Sequence, residues 1–374
     1  MARIIIADRT NHYDGRDVAS RPLGGTETSV IYLAEALSRR GHAVTCLTRC
    51  DERVIHRGVT WSPLQTGNPG PCDLFLAVQH PDLLDLAHRP RRRALWLVWP
   101  PHNLNKRPAF LRMWLYRPVP IFVSQYQVSI FGRFLPKPDP LLVIPFGLPD
   151  AVRGRPPLDA PPPPRAIFAS NPMRDLSWLL GVWERRIRPL VPGAELHIYG
   201  IRDYAYRYAD HWEETRKRLG QFIPEGYSTE ALGSLIPHPP ARREELWDAM
   251  HSSRVMLYGG HRVEAFCLAV AEAQALGVPA VVRRTTVMPE RVRDGVTGFG
   301  APDDEAFARR AVELLTDDGL WRRQHAAALS LQQGWSWDEM AAAFEAGVLG
   351  GDPASELKSG IAIRRRQVDG SGGA

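Results

Sequence analysis

Short apolar runs alternate along the chain with segments of helical periodicity. Each run is six or seven residues long and rich in branched or aromatic side chains, which is typical of a buried strand. Between the first two runs, Val30, Leu33, Ala34 and Leu37 recur at helical spacing, and Gly41 is expected to end that helix. The predicted strands are RIIIAD (3–8), AVTCLTR (43–49), CDLFLAV (72–78), RALWLVW (93–99), PIFVSQ (120–125), LLVIPFG (141–147), RAIFAS (165–170), ELHIYG (195–200), SRVMLYG (253–259) and PAVVRR (279–284).

A proline-rich stretch divides this alternation into two series. Proline fixes φ and lacks an N–H, so DAVRGRPPLDAPPPPR cannot be the interior of a helix or sheet. It predicts a linker over 151–164, between a first domain (1–150) and a second (165–348). Two strand–helix series indicate an α/β protein with two Rossmann-like parallel sheets facing across a cleft, where ligands bind at the carboxyl ends of the strands. The tail, 349–374, is expected to be disordered.

Length and composition fit a two-domain globular protein. The 374 residues exceed one ordinary core, and 44% apolar and 24% charged residues are ordinary values. No apolar run is long enough to predict a transmembrane helix, and MARIIIADRT resembles a first strand more than a signal peptide. The four cysteines show no paired spacing, which favours a reduced cytoplasmic protein. A net charge of +6 is compatible with nucleic acid, anionic lipid or a phosphorylated substrate, and no nucleic-acid motif is present.

The run EAFCLAVAEAQALGVPAVV (264–282) predicts a buried helix followed by a buried strand, yet it carries Glu264 and Glu272. No Lys or Arg stands at helical spacing to pair with either acid, and burying an unpaired carboxylate is costly. Both acids are therefore expected to face a polar cleft. Helix rise would place them about 12 Å apart, which suits a sugar and a ribose joined by a diphosphate. Amides around Val263 to Cys267 would bind the phosphates. The alternative is that local hydrogen bonds satisfy both acids.

A glycine loop, SRPLGGTETS, follows the first predicted strand. Gly24 and Gly25 would let the backbone approach a ligand, and Thr26 or Thr28 could cap the helix. The alternative is a plain glycine turn, and the loop is not a G-x-G-x-x-G fingerprint.

Several segments, in the same order, resemble the family 4 (group 1) glycosyltransferases. EAFCLAVAEAQALGVPAVV is similar to their E-x7-E signature, and MPERVRDGVTGF is similar to the segment that follows it. GGTETSVIYLAEALSRRGHAV resembles their N-terminal glycine loop and helix, and FVSQYQVSIF and VIPFGLPD resemble later landmarks of the first domain. The resemblance covers roughly residues 1–346. It implies the two-domain GT-B fold, with a C-terminal helix that packs back on the first domain, and retaining sugar transfer.

The resemblance also implies which residues take part in catalysis. Glu264 would contact the donor sugar, and His102, in WPPHNL, would lie beside the sugar that is transferred. Arg174, in SNPMRDL, would steady the leaving diphosphate.

Other residues would bind the donor without reacting. Glu272 would hold the ribose, the backbone of the helix-opening segment would approach the phosphates, and the glycine loop would close on the diphosphate from the opposite domain. The donor-binding residues implied by the resemblance are Gly24, Gly25, Ser170, Phe266, Cys267, Leu268 and Glu272.

The chain departs from the family pattern around Arg174. The family usually has a basic pair there, as G-R-x4-K-G, whereas this chain begins the segment with Ala169 and Ser170 and has Asp175 where glycine is common. Charge neutralisation would rest on Arg174 alone, or on Arg262 or His261. Phe146 also stands where asparagine is frequent, which would alter the hinge or the cleft wall.

We expect a mechanism without metal. No Asp-x-Asp occurs in the sequence, so helix amides and Arg174 would stabilise the leaving group electrostatically. Retention implies front-face attack by an acceptor hydroxyl while a β-phosphate oxygen takes its proton. No cofactor is expected beyond the nucleotide-diphosphate sugar as co-substrate.

Two other functions fit the same pattern. A nucleotide-sugar epimerase of GT-B type would need no acceptor, and a non-catalytic nucleotide-sugar-binding scaffold would tolerate the reduced basic pair. The expected partners of a transferase are a nucleotide sugar donor and a glycan or lipid-linked acceptor, as in bacterial cell-surface polysaccharide or glycolipid synthesis. The base, the sugar and the acceptor stay open.

Two stretches interleave arginine with tryptophan and tyrosine, HRPRRRALWLVW (88–99) and FLRMWLYRP (110–118). Such a surface could lie on an anionic membrane as a peripheral contact. The alternative is that Trp96, Leu97 and Trp99 form a buried strand and leave the arginines alone exposed. We favour that alternative for the first stretch, and the second is open.

Overall fold

The structure is a computed structural model that describes residues 1–65, 69–138, 141–201 and 217–350. The chain divides into two compact units. Unit 1 comprises residues 1–18 and 23–147 and the chain from 335, and unit 2 comprises 19–22 and 148–334. The predicted boundaries 1–150, 151–164 and 165–348 stay predictions. The tail predicted to be disordered lies, from residue 351, outside the described residues.

The sheet of unit 1 is doubly wound. Its eight strands in the described residues are β1 (Arg3–Ala7), β2 (Ala43–Thr48), β3 (Val54–His56), β4 (Val59–Pro63), β5 (Leu74–Val78), β6 (Arg92–Leu97), β7 (Val119–Phe122) and β8 (Leu142–Val143). Their order is β3-β4-β2-β1-β5-β6-β7-β8, and every neighbouring pair is parallel except the edge pair β3 and β4. The direction of winding reverses between β1 and β5, which is where such sheets bind ligands.

A separate pair of short strands, β9 (Gly147–Leu148) and β16 (Trp335–Ser336), forms a two-stranded sheet of its own.

The sheet of unit 2 repeats the doubly wound topology of the unit 1 sheet. The unit 2 strands are β10 (Arg165–Ala169), β11 (Glu195–Tyr199), β12 (Leu235–Pro237), β13 (Val255–Tyr258), β14 (Ala280–Arg283) and β15 (Gly298–Ala301). They are all parallel in the order β12-β11-β10-β13-β14-β15, so the switch point lies between β10 and β13.

Helices connect the strands in both units. In the described residues they are α1 (Asp17–Ser20), α2 (Gly25–Arg39), α3 (Arg107–Tyr116), α4 (Gln125–Ser129), α5 (Leu176–Val182), α6 (Thr229–Gly233), α7 (Arg243–His251), α8 (Leu268–Ala275), α9 (Met288–Arg291), α10 (Asp304–Thr316), α11 (Asp318–Leu331) and α12 (Trp337–Phe344). Short 3₁₀ segments lie at Pro81–Leu86, Pro101–Asn105, Asp150–Val152 and Gly220–Phe222, and π-helical turns at Trp183–Ile187 and Glu345–Leu349. No helix in this described part combines the length and apolar character that crossing a membrane requires.

The predicted strands and the first predicted helix are confirmed. All ten predicted strands are present, and the four apolar positions predicted for α2 are buried. The C-terminal α12 packs on α2 within unit 1, as expected. Arg39 pairs with Asp338 at 2.7 Å, and Arg40 pairs with Glu345 in the turn that follows α12. These ion pairs link the C-terminal helical segment to the C-terminal end of α2.

The first basic aromatic stretch is mostly strand interior. Trp96 and Leu97 end β6 and are fully buried, so the favoured alternative is confirmed for these two residues. Trp99 lies beyond the strand and is exposed, where the prediction had it buried.

Candidate functional site

Two loops meet at the switch point of unit 2. One follows β10 and carries Ser170 and Arg174, and the other follows β13 and carries Glu264. Because β10 and β13 are neighbouring parallel strands, both loops leave the same edge of the sheet. Glu264 was predicted as an acid in an apolar run and Ser170 and Arg174 by family resemblance, and the topology brings the three together.

Glu264 is buried and held by partners from both loops. The residue is 2% exposed, and its carboxylate pairs with the guanidinium of Arg174, which comes from 90 residues away. The Tyr258 hydroxyl at the end of β13 donates to the same carboxylate oxygen at 3.0 Å. Arg174 itself is 33% exposed, so one side of this pair is open to water or to a ligand.

Tyr258 is a fixed hydrogen-bond donor. Burial raises the pKa of its hydroxyl, and a hydrogen bond involving the Ser170 side chain counters part of that rise. The phenol therefore stays protonated at neutral pH and can donate to Glu264. Tyr258 therefore connects Ser170 with Glu264, the acid predicted to bind the sugar.

Glu264 does not lie on the helix, which corrects the expected geometry. α8 begins at Leu268, after Cys267 with φ of 65°, a left-handed conformation that interrupts helical backbone. The distance of about 12 Å between the two acids was derived from helix rise and does not apply. The backbone N–H of Glu264 instead donates to the His261 carbonyl at 2.9 Å, in a turn.

The unpaired helix amides also lie further along than predicted. The first helical hydrogen bond runs from Ala271 N–H to Cys267 C=O at 3.1 Å, so the end groups are those of Leu268 to Val270. Val270 N–H faces the Cys267 sulfur, and burial raises the pKa of that thiol to about 11. The thiol is therefore protonated at neutral pH and is a poor nucleophile.

Glu272 has a partner that helical spacing could not predict. It is 2% exposed in α8, and its carboxylate pairs with Arg243 of α7. The Arg243 side chain is 13% exposed, and its guanidinium carbon lies 5.5 Å from the centre of the Trp247 ring. No basic residue stands at helical spacing from either acid, as the sequence showed, but neither acid is unpaired, because each has an arginine partner on another element.

The predicted residues of unit 1 lie at the corresponding edge of its own sheet. Gly24 is the N-cap of α2, so the prediction that Thr26 or Thr28 caps this helix is wrong. Thr28 lies inside the helix, and its hydroxyl donates to the Gly24 carbonyl at 2.8 Å. His102 is exposed in the 3₁₀ segment after β6. Gly24, Gly25 and His102 belong to unit 1, and the other predicted site residues belong to unit 2.

The segment that holds both acids matches a known family. Residues 228–330 match the family described as glycosyl transferases group 1. The resemblance inferred from the sequence is therefore confirmed over the part of unit 2 that contains Glu264 and Glu272.

Curated relatives match a little over a quarter of the chain. A D-inositol 3-phosphate glycosyltransferase of Streptomyces griseus subsp. griseus is 36% identical over 108 residues, which are 28% of this chain and 23% of that protein. A protein of the same name from Xylanimonas cellulosilytica is 36% identical over 111 residues, 29% of this chain and 26% of that protein. The matched region thus spans about a quarter of the length of these glycosyltransferases.

Solved structures extend the likeness to the fold of nearly the whole chain. A sucrose-phosphate synthase from Thermosynechococcus elongatus superposes with a TM-score of 0.69 at 16% identity, covering 91% of this chain and 97% of that one. Anabaena Alr3699/HepE in complex with UDP-glucose gives 0.62 at 14% identity, covering 91% and 98%. The predicted GT-B fold class is confirmed.

One departure from the group 1 glycosyltransferase pattern has a structural explanation. Asp175 has φ of 62°, a conformation that glycine adopts easily and aspartate tolerates. Its carboxylate accepts from Arg283 at 2.6 Å, and Arg283 also donates to the Gly259 carbonyl at 3.0 Å. The guanidinium lies 4.4 Å from the Trp178 ring centre. A cation from the end of β14 is thereby fixed beside the Arg174 loop.

A further cation lies beside the start of α8, and sequence reasoning missed it. The Arg291 guanidinium carbon lies 4.2 Å from the centre of the Phe266 ring, and its buried Nε has no hydrogen-bond partner among the described residues. Burial lowers the pKa of Arg291, and its charge, like that of Arg174, lowers the pKa of Cys267. Arg291 stands in MPERVRDGVTGF, so the matching motif marked the segment without marking this residue.

The other proposed cations are more peripheral. Arg262 is exposed, and burial lowers the pKa of the half-buried His261, which is then neutral at pH 7. In the described residues no group of three or more His, Cys, Asp or Glu side chains is arranged to hold a metal ion.

Proposed function

We propose that this chain is a retaining glycosyltransferase that moves a sugar from a nucleotide-diphosphate sugar to an acceptor hydroxyl. The observation that carries the proposal is the Arg174–Glu264–Tyr258 cluster at the switch point of a unit that matches the group 1 glycosyltransferases. A carboxylate beside an accessible guanidinium suits a ligand that combines hydroxyls with an anion.

Donor binding would exchange partners within this cluster. Arg174 and Glu264 neutralise each other without ligand, and Arg174 is the more open of the two. A diphosphate would take the guanidinium, because Arg binds phosphate oxygens through several N–H groups. The sugar hydroxyls would then donate to the carboxylate, which Tyr258 holds in place. The pair thus prepares both binding groups at low electrostatic cost.

The leaving diphosphate would be stabilised by fixed positive charge. The N–H groups of Leu268 and Ala269 lie at the start of α8, and the charges of Arg174 and Arg291 both lower the pKa of Cys267, which precedes it. Arg291 would supply the second cation that the family places in G-R-x4-K-G. With charge arranged in advance around the developing diphosphate, no metal is required for departure.

Glu272 would bind the ribose through the carboxylate oxygen that Arg243 does not use. An ionised carboxylate has room for about four hydrogen bonds, so the ion pair and a ribose hydroxyl are compatible. Arg243 would then fix the orientation of the acid. If the pair has a structural role alone, Glu272 will not affect nucleotide affinity.

The acceptor hydroxyl would attack from the face that the diphosphate leaves. A β-phosphate oxygen would take the proton of that hydroxyl, and the configuration at the anomeric carbon would be retained. His102 is proposed to lie beside the transferred sugar. The acceptor class we propose is a glycan or a lipid-linked sugar.

A product assay tests this function against the two alternatives. The full chain is incubated with UDP-glucose and other nucleotide-diphosphate sugars, with and without a panel of sugar and lipid-linked acceptors. A glycoside formed in the presence of acceptor, with the anomeric configuration of the donor by NMR, supports retaining transfer. Conversion of donor sugar without acceptor would indicate an epimerase. Thermal stabilisation by nucleotide diphosphates with no product under any condition would indicate a binding scaffold.

A further inference from the structure

Four large apolar side chains are exposed on two adjacent segments of unit 1. Leu111, Trp114 and Leu115 of α3 are 62%, 44% and 72% exposed, and Phe134, in the segment 130–138, is 65% exposed. The Trp114 indole N–H donates to the Phe134 carbonyl at 3.1 Å, which holds the two segments side by side. We name this set of four residues, with the cations around it, the basic apolar face.

The packing of α3 does not account for these side chains. The opposite side of the helix provides Met113, which is fully buried, and Ala109 and Phe110, which pack against the core of unit 1. Leu111, Trp114 and Leu115 follow one another at i, i+3 and i+4, so they form a second apolar stripe that points away from that core. Such a stripe on a folded unit marks an interaction surface.

Cations surround the stripe. Five basic side chains of these segments are exposed, and in the described residues none of them is ion-paired with an acid: Lys106, Arg107, Arg117, Arg133 and Lys137. The stretches 106–118 and 130–138 contain no Asp or Glu at all.

Two of these cations extend over the apolar rings. The Arg117 guanidinium lies 5.6 Å from the Trp114 ring centre, and that of Arg133 lies 4.4 Å from the Phe134 ring centre. Arg112, on the same helix, is bound to Asp85 at 2.7 Å and is not part of the face.

We infer that the basic apolar face binds the surface of a membrane that contains anionic lipid. The charges select the partner: in the described residues five cations without an acidic partner, with no Asp or Glu in 106–118 or 130–138, favour a surface of negative headgroups. Aliphatic and aromatic side chains between those cations can insert at the headgroup level, where tryptophan is especially favourable. The inference goes beyond the sequence stretch 110–118, because Arg133, Phe134 and Lys137 complete the face. It does not depend on the donor chemistry of unit 2.

Vesicle flotation with the full chain tests this inference. Vesicles of phosphatidylcholine alone are compared with vesicles that contain about 30 mol% phosphatidylglycerol, at about 0.1 M and about 1 M salt. We expect binding to the anionic vesicles at low salt, weakened at high salt, and little binding to the neutral ones.

Two double variants and one control locate the surface. Arg133→Glu with Lys137→Glu should lower the partition coefficient by at least about tenfold, because each cation near an anionic surface contributes measurably. Leu111→Ser with Leu115→Ser should also lower it by about tenfold or more. Arg309→Glu with Arg323→Glu changes charge equally on exposed positions of unit 2 and should leave the ratio of anionic to neutral binding intact.

Several results would overturn the inference. Equal binding to both vesicle types, or equal binding by the charge variant and the control variant, would exclude an anionic lipid site here. A dimer in solution that dissociates in the Leu111→Ser, Leu115→Ser variant, with no vesicle binding by the wild type, would assign the face to a second copy of the chain. Circular dichroism checks folding, and if the leucine variant is unfolded the charge variant decides, because both of its positions are exposed.

Discussion

Glu264 and Glu272 are equally buried, yet their arginine partners differ. Each acid is 2% exposed and pairs with one guanidinium from another element. Arg174, the partner of Glu264, is 33% exposed and comes from a loop, whereas Arg243, the partner of Glu272, is 13% exposed and comes from a helix. One ion pair is therefore open at its basic end, and the other is closed.

This difference in exposure indicates that Arg174 can exchange Glu264 for a ligand anion, whereas Arg243 stays bound to Glu272. An exposed guanidinium is partly solvated, so it can leave its carboxylate for a ligand anion at little cost in free energy. A buried guanidinium that left its carboxylate would be an unpaired charge in the protein interior, which is costly. We therefore expect the loop pair to contribute mainly to catalysis and the helix pair mainly to stability. The predictions below test that division.

The largest expected effect is on turnover after removal of the open cation. Arg174→Ala should lower kcat by about 100- to 1,000-fold, because a donor positioned for developing charge acts mainly in the transition state. Donor KM should change far less. Initial rates over a range of donor concentrations measure both, with Arg262→Ala as the matched control at a nearby exposed cation. An unchanged kcat in Arg174→Ala would move the role to Arg291 or to the helix amides.

The next largest effect should be on stability, and it should distinguish the two acids. Glu272→Gln leaves the enclosed Arg243 without an anion and should cost about 3 kcal/mol of unfolding free energy. Glu264→Gln leaves a guanidinium that water reaches, and should cost about 1 kcal/mol or less. Urea unfolding followed by fluorescence measures the midpoints. Since the double variant Glu272→Gln, Arg243→Gln removes both charges, it should recover part of the loss. Equal losses in the two single variants would erase the distinction between an open and a closed pair.

Sequence patterns predicted the sheets well and the site in part. The central strands are apolar runs that need no knowledge of neighbours. The strands β3, β4, β12 and β15, which lie at or next to a sheet edge, and the two-residue β16 were missed, because none of them is a long apolar run. Glu264 was predicted as an acid in an apolar run, and Arg174 was predicted through motif resemblance. Their pairing, and that of Glu272 with Arg243, join residues that no spacing rule relates.

Two errors about the site have different physical origins, one in the backbone and one in tertiary packing. The helix was expected to include Glu264, but the left-handed backbone at Cys267 delays its start until Leu268. A backbone angle of this kind is rare in a non-glycine residue and has no signature in an apolar run. Arg291 was missed because its position depends on how β14 and α9 bring the segment back to Phe266.

Ligand binding should distinguish the acids more finely than stability does. Glu272→Gln should weaken a nucleotide diphosphate without sugar by about 10- to 150-fold, because a charged hydrogen bond to the ribose is lost. Glu264→Gln should leave that affinity nearly unchanged while transfer falls by a similar factor, since its proposed partners belong to the sugar. Calorimetry and initial rates, at temperatures well below both unfolding midpoints, provide the comparison. If both variants lose equal nucleotide affinity, the acids do not divide the donor as proposed.

The smallest expected effect is that of a chelator. If Arg174, Arg291 and the amides at the start of α8 carry the charge of the departing diphosphate, turnover should persist in excess EDTA at close to its original rate. Initial rates are measured after dialysis against chelator, with and without Mg²⁺ or Mn²⁺ added back, and thermal stability is followed in parallel to separate catalysis from folding. Activity that disappears in chelator and returns with either ion, at constant stability, would mean that a cation outside the chain carries this charge. The open pair would then be a binding element for the sugar, and the large effect expected for Arg174→Ala would shrink toward that of the Arg262→Ala control.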